Sequence, residues 1–326
     1  MKCFVVGNGG WGTALGITLA GNGHDVTIWS PFEEEVQAIR SAGENTVYLP
    51  GVKIPSAIQW TSNPADAKEA ALIVIVVPSR FVRSSLEIFK PFLRADALIV
   101  SATKGLDEKT HHRMSETALD VLGRDIAVLS GPSHAEEVAR GVPTAVTVAG
   151  KNFQILETIQ TAFSGKTFRV YTSDDVIGVE LGGTLKNIIA VAAGILDGIG
   201  LGDNSKAALM TRGLAEITRL GVALGAKPET FSGLSGIGDL IVTCGSRHSR
   251  NRAVGERLGK GESLKAIMGS MKQVAEGIWN AKTARDLARE HSIEMPITEE
   301  VCAIVEDGKD PRQALKDLMS RNPKAE

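Results

Sequence analysis

Short runs of consecutive apolar residues alternate with helical patterns in the first half of the chain. The run 72–77 is apolar at every position, as a strand covered by helices on both faces must be. The pattern predicts strands at 2–6, 25–29, 72–77, 97–101, 126–130, 144–149 and 167–171. Helical segments lie between them, for example at 12–22, 80–89, 111–122 and 152–163. Alternation of this kind indicates a mostly parallel sheet joined by right-handed crossovers.

The strand pattern stops after Tyr171, and the polar segment 172–175 is typical of a helix start. Helices are predicted beyond it at 176–200, 204–224, 250–258, 263–270, 274–290, 298–306 and 311–320. The chain of 326 residues is long enough for two domains. We therefore predict an α/β protein: a Rossmann-type domain over 1–172, followed by an all-helical domain over 173–326.

Composition and charge exclude several classes of protein. The chain is 43% hydrophobic with a net charge of −2, so no basic surface indicates a nucleic-acid partner. The longest apolar stretch, 176–201, contains Glu180, Lys186 and Asp197, which predicts a buried helix rather than a membrane span. The N-terminal apolar run is too short for a signal peptide. Three cysteines without paired spacing favour reduced thiols, no metal and a cytoplasmic location.

A glycine-rich loop follows the first predicted strand. Gly7, Gly9 and Gly12 have the G-x-G-x-x-G spacing and open a helix. Gly7 permits the tight turn, Gly9 lets the backbone approach a pyrophosphate, and Gly12 allows the helix and strand to touch. The helix N-terminus then offers N–H groups to phosphates. The loop predicts a bound dinucleotide, the alternative being a purely structural turn.

The choice between NAD and NADP stays open. An NAD site usually has Asp or Glu at the end of the second strand, to hold the ribose hydroxyls. That position is Ser30 here, which tolerates a 2′-phosphate, but no cation stands nearby to bind one, since Arg40 is a helix away.

Candidate substrate contacts follow the later strands, because ligands of such sheets collect at the carboxyl ends of the strands. Lys104 follows one strand, although a lysine there could also be ordinary surface. Gly131 and Ser133 follow another, and Ser133 is expected to cap a helix.

Lys186 lies in a helix of small and apolar residues that packs on nearly all sides. Burial should disfavour its charged form and lower its pKa, which suits proton exchange near neutral pH. The alternative is a lysine that reaches water at an interface. Asp239 and Thr243, four residues apart, share a helix face and could address one ligand.

Ser249 and Arg250 open another predicted helix. A capping serine with an arginine at a helix N-terminus forms a phosphate site. An ordinary capped surface helix is the alternative.

These segments together closely resemble the bacterial glycerol-3-phosphate dehydrogenases that use NAD or NADP. The resemblance covers essentially the whole chain. It rests on the motifs at 7–15, 102–106, 130–133, 185–187, 238–240, 249–252, 274–277 and 294–299.

That family interconverts sn-glycerol 3-phosphate and dihydroxyacetone phosphate, a small phosphorylated three-carbon substrate, and supplies the backbone of phospholipids. The resemblance implies that Lys186 exchanges the proton while hydride moves between the nicotinamide and substrate C2. It implies substrate contacts from Lys104, Gly131, Ser133, Asp239, Ser249, Arg250 and Asn251. It implies cofactor contacts from Gly10, Trp11, Lys104, Ala135, Arg250, Val274 and Glu276. Pro31 and Phe32 stand where some members have a basic residue, which leaves the coenzyme preference open.

Two other functions are considered. One is a reductase of the same two-domain type acting on 6-phosphogluconate or a ketopantoate-like acid. The other is a regulator that binds NAD(H) without turnover, against which the buried Lys186 near Asp239 argues. The apolar, glycine-rich helical domain makes a homodimer the expected assembly.

Overall fold

The computed structural model describes residues 1–271 and 275–322. Among these residues, eight strands form one sheet: β1 (Lys2–Val6), β2 (Asp25–Trp29), β3 (Gln59–Thr61), β4 (Leu72–Ile75), β5 (Leu98–Ser101), β6 (Ala127–Ser130), β7 (Thr144–Ala149) and β8 (Phe168–Ser173). The helices of the sheet region are α1 (Gly10–Gly21), α2 (Glu33–Ala42), α3 (Val82–Phe89), α4 (Met114–Leu122), α5 (Ala135–Ala139) and α6 (Phe153–Phe163). The later helices are α7 (Val176–Gly198), α8 (Asp203–Ala223), α9 (Asp239–Gly245), α10 (Arg250–Gly259), α11 (Leu264–Ser270), α12 (Glu276–Glu290), α13 (Pro296–Asp307) and α14 (Pro311–Met319).

The sheet has the order β3-β2-β1-β4-β5-β6-β7-β8. All neighbouring strands are parallel except β6 and β7, which are antiparallel. The predicted mostly parallel Rossmann-type sheet is therefore confirmed. Because β1 pairs with β2 on one side and β4 on the other, the strand order reverses at β1. Ligands of open α/β sheets bind at the carboxyl end of the strands at such a reversal.

Each central strand is buried on both faces. In β1, Val5 belongs to one apolar cluster, while Phe4 and Val6 belong to another. In β4, Val74 belongs to the first of these clusters and Ile73 to the second. Side chains alternate across a strand, so an unbroken apolar run is what a sheet between two helical layers requires.

The structure differs from the sequence prediction most clearly at β3 and at the start of α4. The strand β3 was not predicted, because Gln59–Thr61 is too short to show a pattern. The helix α4 begins at Met114 rather than at 111, since Arg113 is its N-cap and donates its N–H to Glu116 at 2.9 Å. His111 has φ of +58°, which no right-handed helix accommodates.

The chain divides into two compact units, Met1–Glu180 and Leu181–Glu326. The predicted boundary at residue 172 stays a prediction. The first unit contains the sheet, and the described part of the second is helical, as predicted. Within the part of the chain that the structure describes, one helix, α7, is long and apolar enough to cross a membrane, but 89% of its apolar window is buried inside the protein. Its apolar surface is covered by protein.

In the second unit, α7 and α10 approach so closely that their backbones touch. A Cβ added at Gly194 would lie 2.0 Å from the Arg252 carbonyl oxygen. One added at Gly255 would lie 2.0 Å from the Val191 carbonyl oxygen. Gly198 and Gly259 continue the same contact. Glycine at these positions fixes the separation of the two helices.

Candidate active site

The glycine loop joins β1 to α1. Gly7 has φ of +126°, and its N–H donates to the Trp29 carbonyl at 3.1 Å. A Cβ added at Gly12 would lie 2.0 Å from the Gly7 carbonyl oxygen, so helix and strand can meet here only through glycine. A Cβ at Gly9 would meet nothing within 4 Å. The loop therefore leaves open space in front of Gly9, as a pyrophosphate requires.

The first turn of α1 also fits an anionic group. Its N-cap, Gly9, places no side-chain acceptor on the first N–H groups, and no acidic residue lies in the turn. Within the described residues, the buried Trp11 Nε1 has no hydrogen-bond partner. A Cβ added at Gly10 would lie 2.6 Å from the Tyr48 carbonyl oxygen and 3.6 Å from the Ala135 Cβ. The predicted cofactor residues Gly10, Trp11 and Ala135 thus lie close together.

Beside the loop, the end of β2 has a carboxylate that the sequence analysis missed. Ser30 is fully buried, and its Oγ donates to Glu35 Oε2 at 2.9 Å. The Asn8 Nδ2 atom donates to the same oxygen at 2.6 Å, and the Tyr48 hydroxyl donates to Oε1 at 3.2 Å. Burial and the neighbouring Glu35 raise the pKa of Tyr48. The available signal was an acidic residue in the first turn of the helix after β2.

Three predicted substrate residues meet at the ends of β5 and β6. The Lys104 Nζ donates to the Gly131 carbonyl at 3.0 Å, and the Ser133 Oγ donates to the same oxygen at 2.9 Å. The expected capping role of Ser133 is wrong: His134 is the N-cap of α5, because the Ser133 hydroxyl turns back to Gly131. Gly131 has φ of +144°, and a Cβ there would lie 2.9 Å from the Val146 Cα.

In the second unit, Lys186 forms a buried ion pair. Its Nζ donates to Asp239 Oδ1 at 2.7 Å and to Thr243 Oγ1 at 2.6 Å. The side chains of Lys186 and Asp239 are only 7% and 1% exposed. The ammonium therefore ends on a carboxylate rather than in bulk water. The Asp239 charge stabilises the ammonium and opposes the effect that burial alone would have.

Asp239 and Thr243 reach Lys186 from one face of α9. The Thr243 hydroxyl donates to the Asp239 carbonyl at 2.6 Å, one helical turn back. Their predicted sharing of a helix face is confirmed. In the sequence, Asp239 lies 53 positions and Thr243 lies 57 positions after Lys186, so the fold brings distant residues together.

Ser249 caps α10, as predicted, because its Oγ accepts the Arg252 N–H at 3.2 Å. Arg250 is the first residue of the helix and is exposed. The predicted pairing of a capping serine with an arginine at a helix N-terminus is therefore present.

The Asn251 side chain forms hydrogen bonds with other residues of the protein. Its Nδ2 donates to Asn187 Oδ1 at 2.9 Å, and its Oδ1 accepts the Gly277 N–H at 2.9 Å. Glu276, the first residue of α12, accepts from Asn280 Nδ2 at 2.9 Å. Asn187 was missed as a separate candidate, although it directly follows Lys186. Val274, a predicted cofactor contact, lies outside the described residues.

No group of three or more His, Cys, Asp or Glu side chains within 1–271 and 275–322 is arranged to hold a metal ion. Cys3, Cys244 and Cys302 are buried and free of disulfides. Burial raises the pKa of each to about 12. With the pKa raised this far, the three thiols stay protonated at neutral pH.

Comparison with known proteins gives similarity over both units. Residues 2–156 match the model described as NAD-dependent glycerol-3-phosphate dehydrogenase N-terminus, and 175–316 match the corresponding C-terminus. A protein of Moorella thermoacetica named glycerol-3-phosphate dehydrogenase [NAD(P)+] is 51% identical, covering 97% of this chain and 95% of its own length. One of Geobacter sp. with the same name is 47% identical, covering 100% and 98%. The crystal structure of glycerol-3-phosphate dehydrogenase from Coxiella burnetii has a TM-score of 0.95 and 41% identity, covering 98% of this chain and 99% of that one.

Proposed function

The chain belongs to the NAD-dependent glycerol-3-phosphate dehydrogenase family, and we propose on this premise that Lys186 exchanges the proton in its reaction. The reaction interconverts sn-glycerol 3-phosphate and dihydroxyacetone phosphate with NAD or NADP. Similarity over the full chain favours this activity over the two other functions considered, a reductase of a different acid and a regulator without turnover.

The buried contact between Lys186 and Asp239 is the observation that supports the proposal. When bound, the nicotinamide supplies or accepts the hydride at substrate C2. As a hydride is added at C2 of the ketone, its oxygen must gain a proton, which the Lys186 ammonium donates. In the reverse direction the neutral amine takes that proton back. The carboxylate of Asp239 and the hydroxyl of Thr243 hold the amine in place throughout.

For the substrate, we propose that separate residues bind its phosphate and its hydroxyl groups. The Arg250 guanidinium at the start of α10 holds the phosphate, since a helix N-terminus and a guanidinium both favour an anion. Lys104 and Asp239 hold the hydroxyl groups. The remaining proposed substrate residues are Gly131, Ser133, Thr243, Ser249 and Asn251.

For the cofactor, we propose that the glycine loop and the first turn of α1 bind the pyrophosphate. The open space at Gly9 and the uncapped N–H groups of α1 support this role. The proposed cofactor residues are Gly7, Gly9, Gly10, Trp11, Gly12, Lys104, Ala135, Arg250, Val274 and Glu276.

The test is turnover of dihydroxyacetone phosphate by the purified chain, followed through oxidation of NADH and of NADPH. Rival substrates are assayed alongside: ketopantoate through oxidation of NADH and NADPH, and 6-phosphogluconate, which is already in the reduced form, through reduction of NAD+ and NADP+. Lys186→Met should lower kcat on the order of 10²-fold or more while cofactor binding is retained. The matched control is Lys265→Met, which removes an exposed lysine of α11 and should leave kcat unchanged. Near-normal turnover by Lys186→Met would remove Lys186 as the proton donor.

We further propose that the enzyme acts in the cytoplasm, supplies glycerol 3-phosphate for phospholipid synthesis and forms a homodimer. Light scattering on the purified protein distinguishes a dimer from a monomer. Depletion of the protein in its host should lower the rate of phospholipid synthesis, and added glycerol 3-phosphate should restore it.

A further inference from the structure

The end of β2 has a carboxylate that comes from α2 rather than from the strand. We propose that Glu35 makes the dinucleotide site selective for NAD over NADP. This inference rests on the proposed binding of the cofactor at the glycine loop. In NAD-binding folds of this type, an acidic residue that ends the second strand accepts the ribose hydroxyls. Ser30 occupies that position here and instead binds Glu35.

Three side chains fix the Glu35 carboxylate beside the glycine loop. Asn8, the second residue of the loop, donates to Oε2 at 2.6 Å, and Ser30 donates to the same atom at 2.9 Å. Tyr48 donates to Oε1 at 3.2 Å. Asn8 is itself held, because its carbonyl accepts from Asn45 Nδ2 at 2.7 Å. The carboxylate is thus tied to the loop that would bind the pyrophosphate and to the strand end that would face the ribose.

The carboxylate keeps acceptor capacity for a hydroxyl group. Its two oxygens offer about four acceptor positions, and three are used by the described residues. The position that remains is on Oε1. A ribose 2′-hydroxyl can donate there, whereas a 2′-phosphate has only acceptor oxygens and about two negative charges at neutral pH.

The charges around Glu35 also disfavour a phosphate. Glu33 and Glu34 precede it in the first turn of α2. Arg40 is the only arginine or lysine between residues 3 and 52, and its guanidinium donates to the Trp60 carbonyl. Repulsion between like charges a few ångströms apart near a protein surface exceeds thermal energy. The surroundings of the strand end therefore add to the effect of Glu35.

The experiment measures binding of ADP-ribose and of 2′-phospho-ADP-ribose to the full chain by isothermal titration calorimetry. Neither ligand contains nicotinamide, so the result does not depend on turnover. We expect ADP-ribose to bind tighter by on the order of tenfold or more, and Glu35→Gln to remove most of that preference. Glu34→Gln is the matched control: it removes the same charge from the same helical turn and should change the ratio much less than Glu35→Gln does, because only Glu35 is held at the strand end by Asn8 and Ser30.

The outcomes separate this inference from the reaction. Equal or tighter binding of 2′-phospho-ADP-ribose by the wild-type chain would overturn the inference, whether or not the variants fold. An unchanged ratio in a folded Glu35→Gln variant would also overturn it. In either case, turnover of dihydroxyacetone phosphate with NADPH would leave the proposed function intact. Absence of binding by both ligands would refute the dinucleotide site and the inference together.

Discussion

Gly255→Ala tests whether the backbone contact between α7 and α10 sets the geometry of the polar residues on these helices. The added Cβ would lie 2.0 Å from the Val191 carbonyl oxygen, whereas ordinary contacts begin at 3.4 Å. The shortfall is 3.4 − 2.0 = 1.4 Å. A backbone atom cannot rotate away as a side chain can. The two helices must therefore move apart or distort by on the order of 1 Å.

Two magnitudes follow for Gly255→Ala. Overpacking of this kind costs about 1–3 kcal/mol, and alanine returns about 1 kcal/mol through its higher helix propensity. The two effects together should lower the free energy of unfolding by up to about 2 kcal/mol. Lys186 lies in α7, and α10 begins with Arg250. A displacement of these two helices on the order of 1 Å should therefore lower kcat/KM about 10²-fold.

Steady-state kinetics and urea denaturation measure both effects. The matched control is Gly269→Ala in α11, where an added Cβ would meet nothing within 4 Å. That variant should keep wild-type kinetics and be equally or more stable. Wild-type kcat/KM in a folded Gly255→Ala protein would refute the reasoning, because the helix separation would then not matter for the reaction.

Three further predictions concern single charged groups. Asp239→Asn leaves the Lys186 ammonium buried without its countercharge, so the free energy of unfolding should fall by about 3 kcal/mol in denaturation experiments, and an unaltered value would argue against the ion pair. Arg250→Ala should raise KM for dihydroxyacetone phosphate by about 10–100-fold, and an unchanged KM would refute the anchoring of the phosphate. Burial raises the pKa of Glu216 from 4.5 to about 7, so in this window the folded protein holds a proton that the unfolded chain releases. Stability should therefore fall as pH rises through the window, by on the order of 3 kcal/mol, and urea midpoints of Glu216→Gln should lack this dependence.

The sheet could be predicted closely because its strands are buried on both faces. The bounds of β1, β2 and β7 agree with the prediction to the residue. The reversed direction of β7 relative to β6 could not be predicted, since an apolar run has the same composition in either direction. The strand β3 could not be recognised from three residues.

The individual residues of the candidate site could be predicted from the sequence, but the contacts between them could not. Lys186 and Asp239 each stood out by type and surroundings, yet their contact depends on how α7 and α9 pack. Glu35 could not be predicted from the strand end, because it lies five residues after Ser30 and inside α2. Its carboxylate reaches Ser30 through the turn into α2, which no strand pattern encodes. The sequence shows which residue types are present, but which of them contact each other depends on how the helices and strands pack.

The three buried cysteines provide a built-in reporter of local opening. Cys3 lies in the first compact unit, and Cys244 and Cys302 lie in the second. Burial suppresses the reactive thiolate in each, so an alkylating reagent can modify them only when the surrounding structure opens. Rates of labelling, resolved by peptide, would therefore give separate opening free energies for the two units in the unmodified protein. Added dinucleotide or substrate would slow labelling in whichever unit it stabilises.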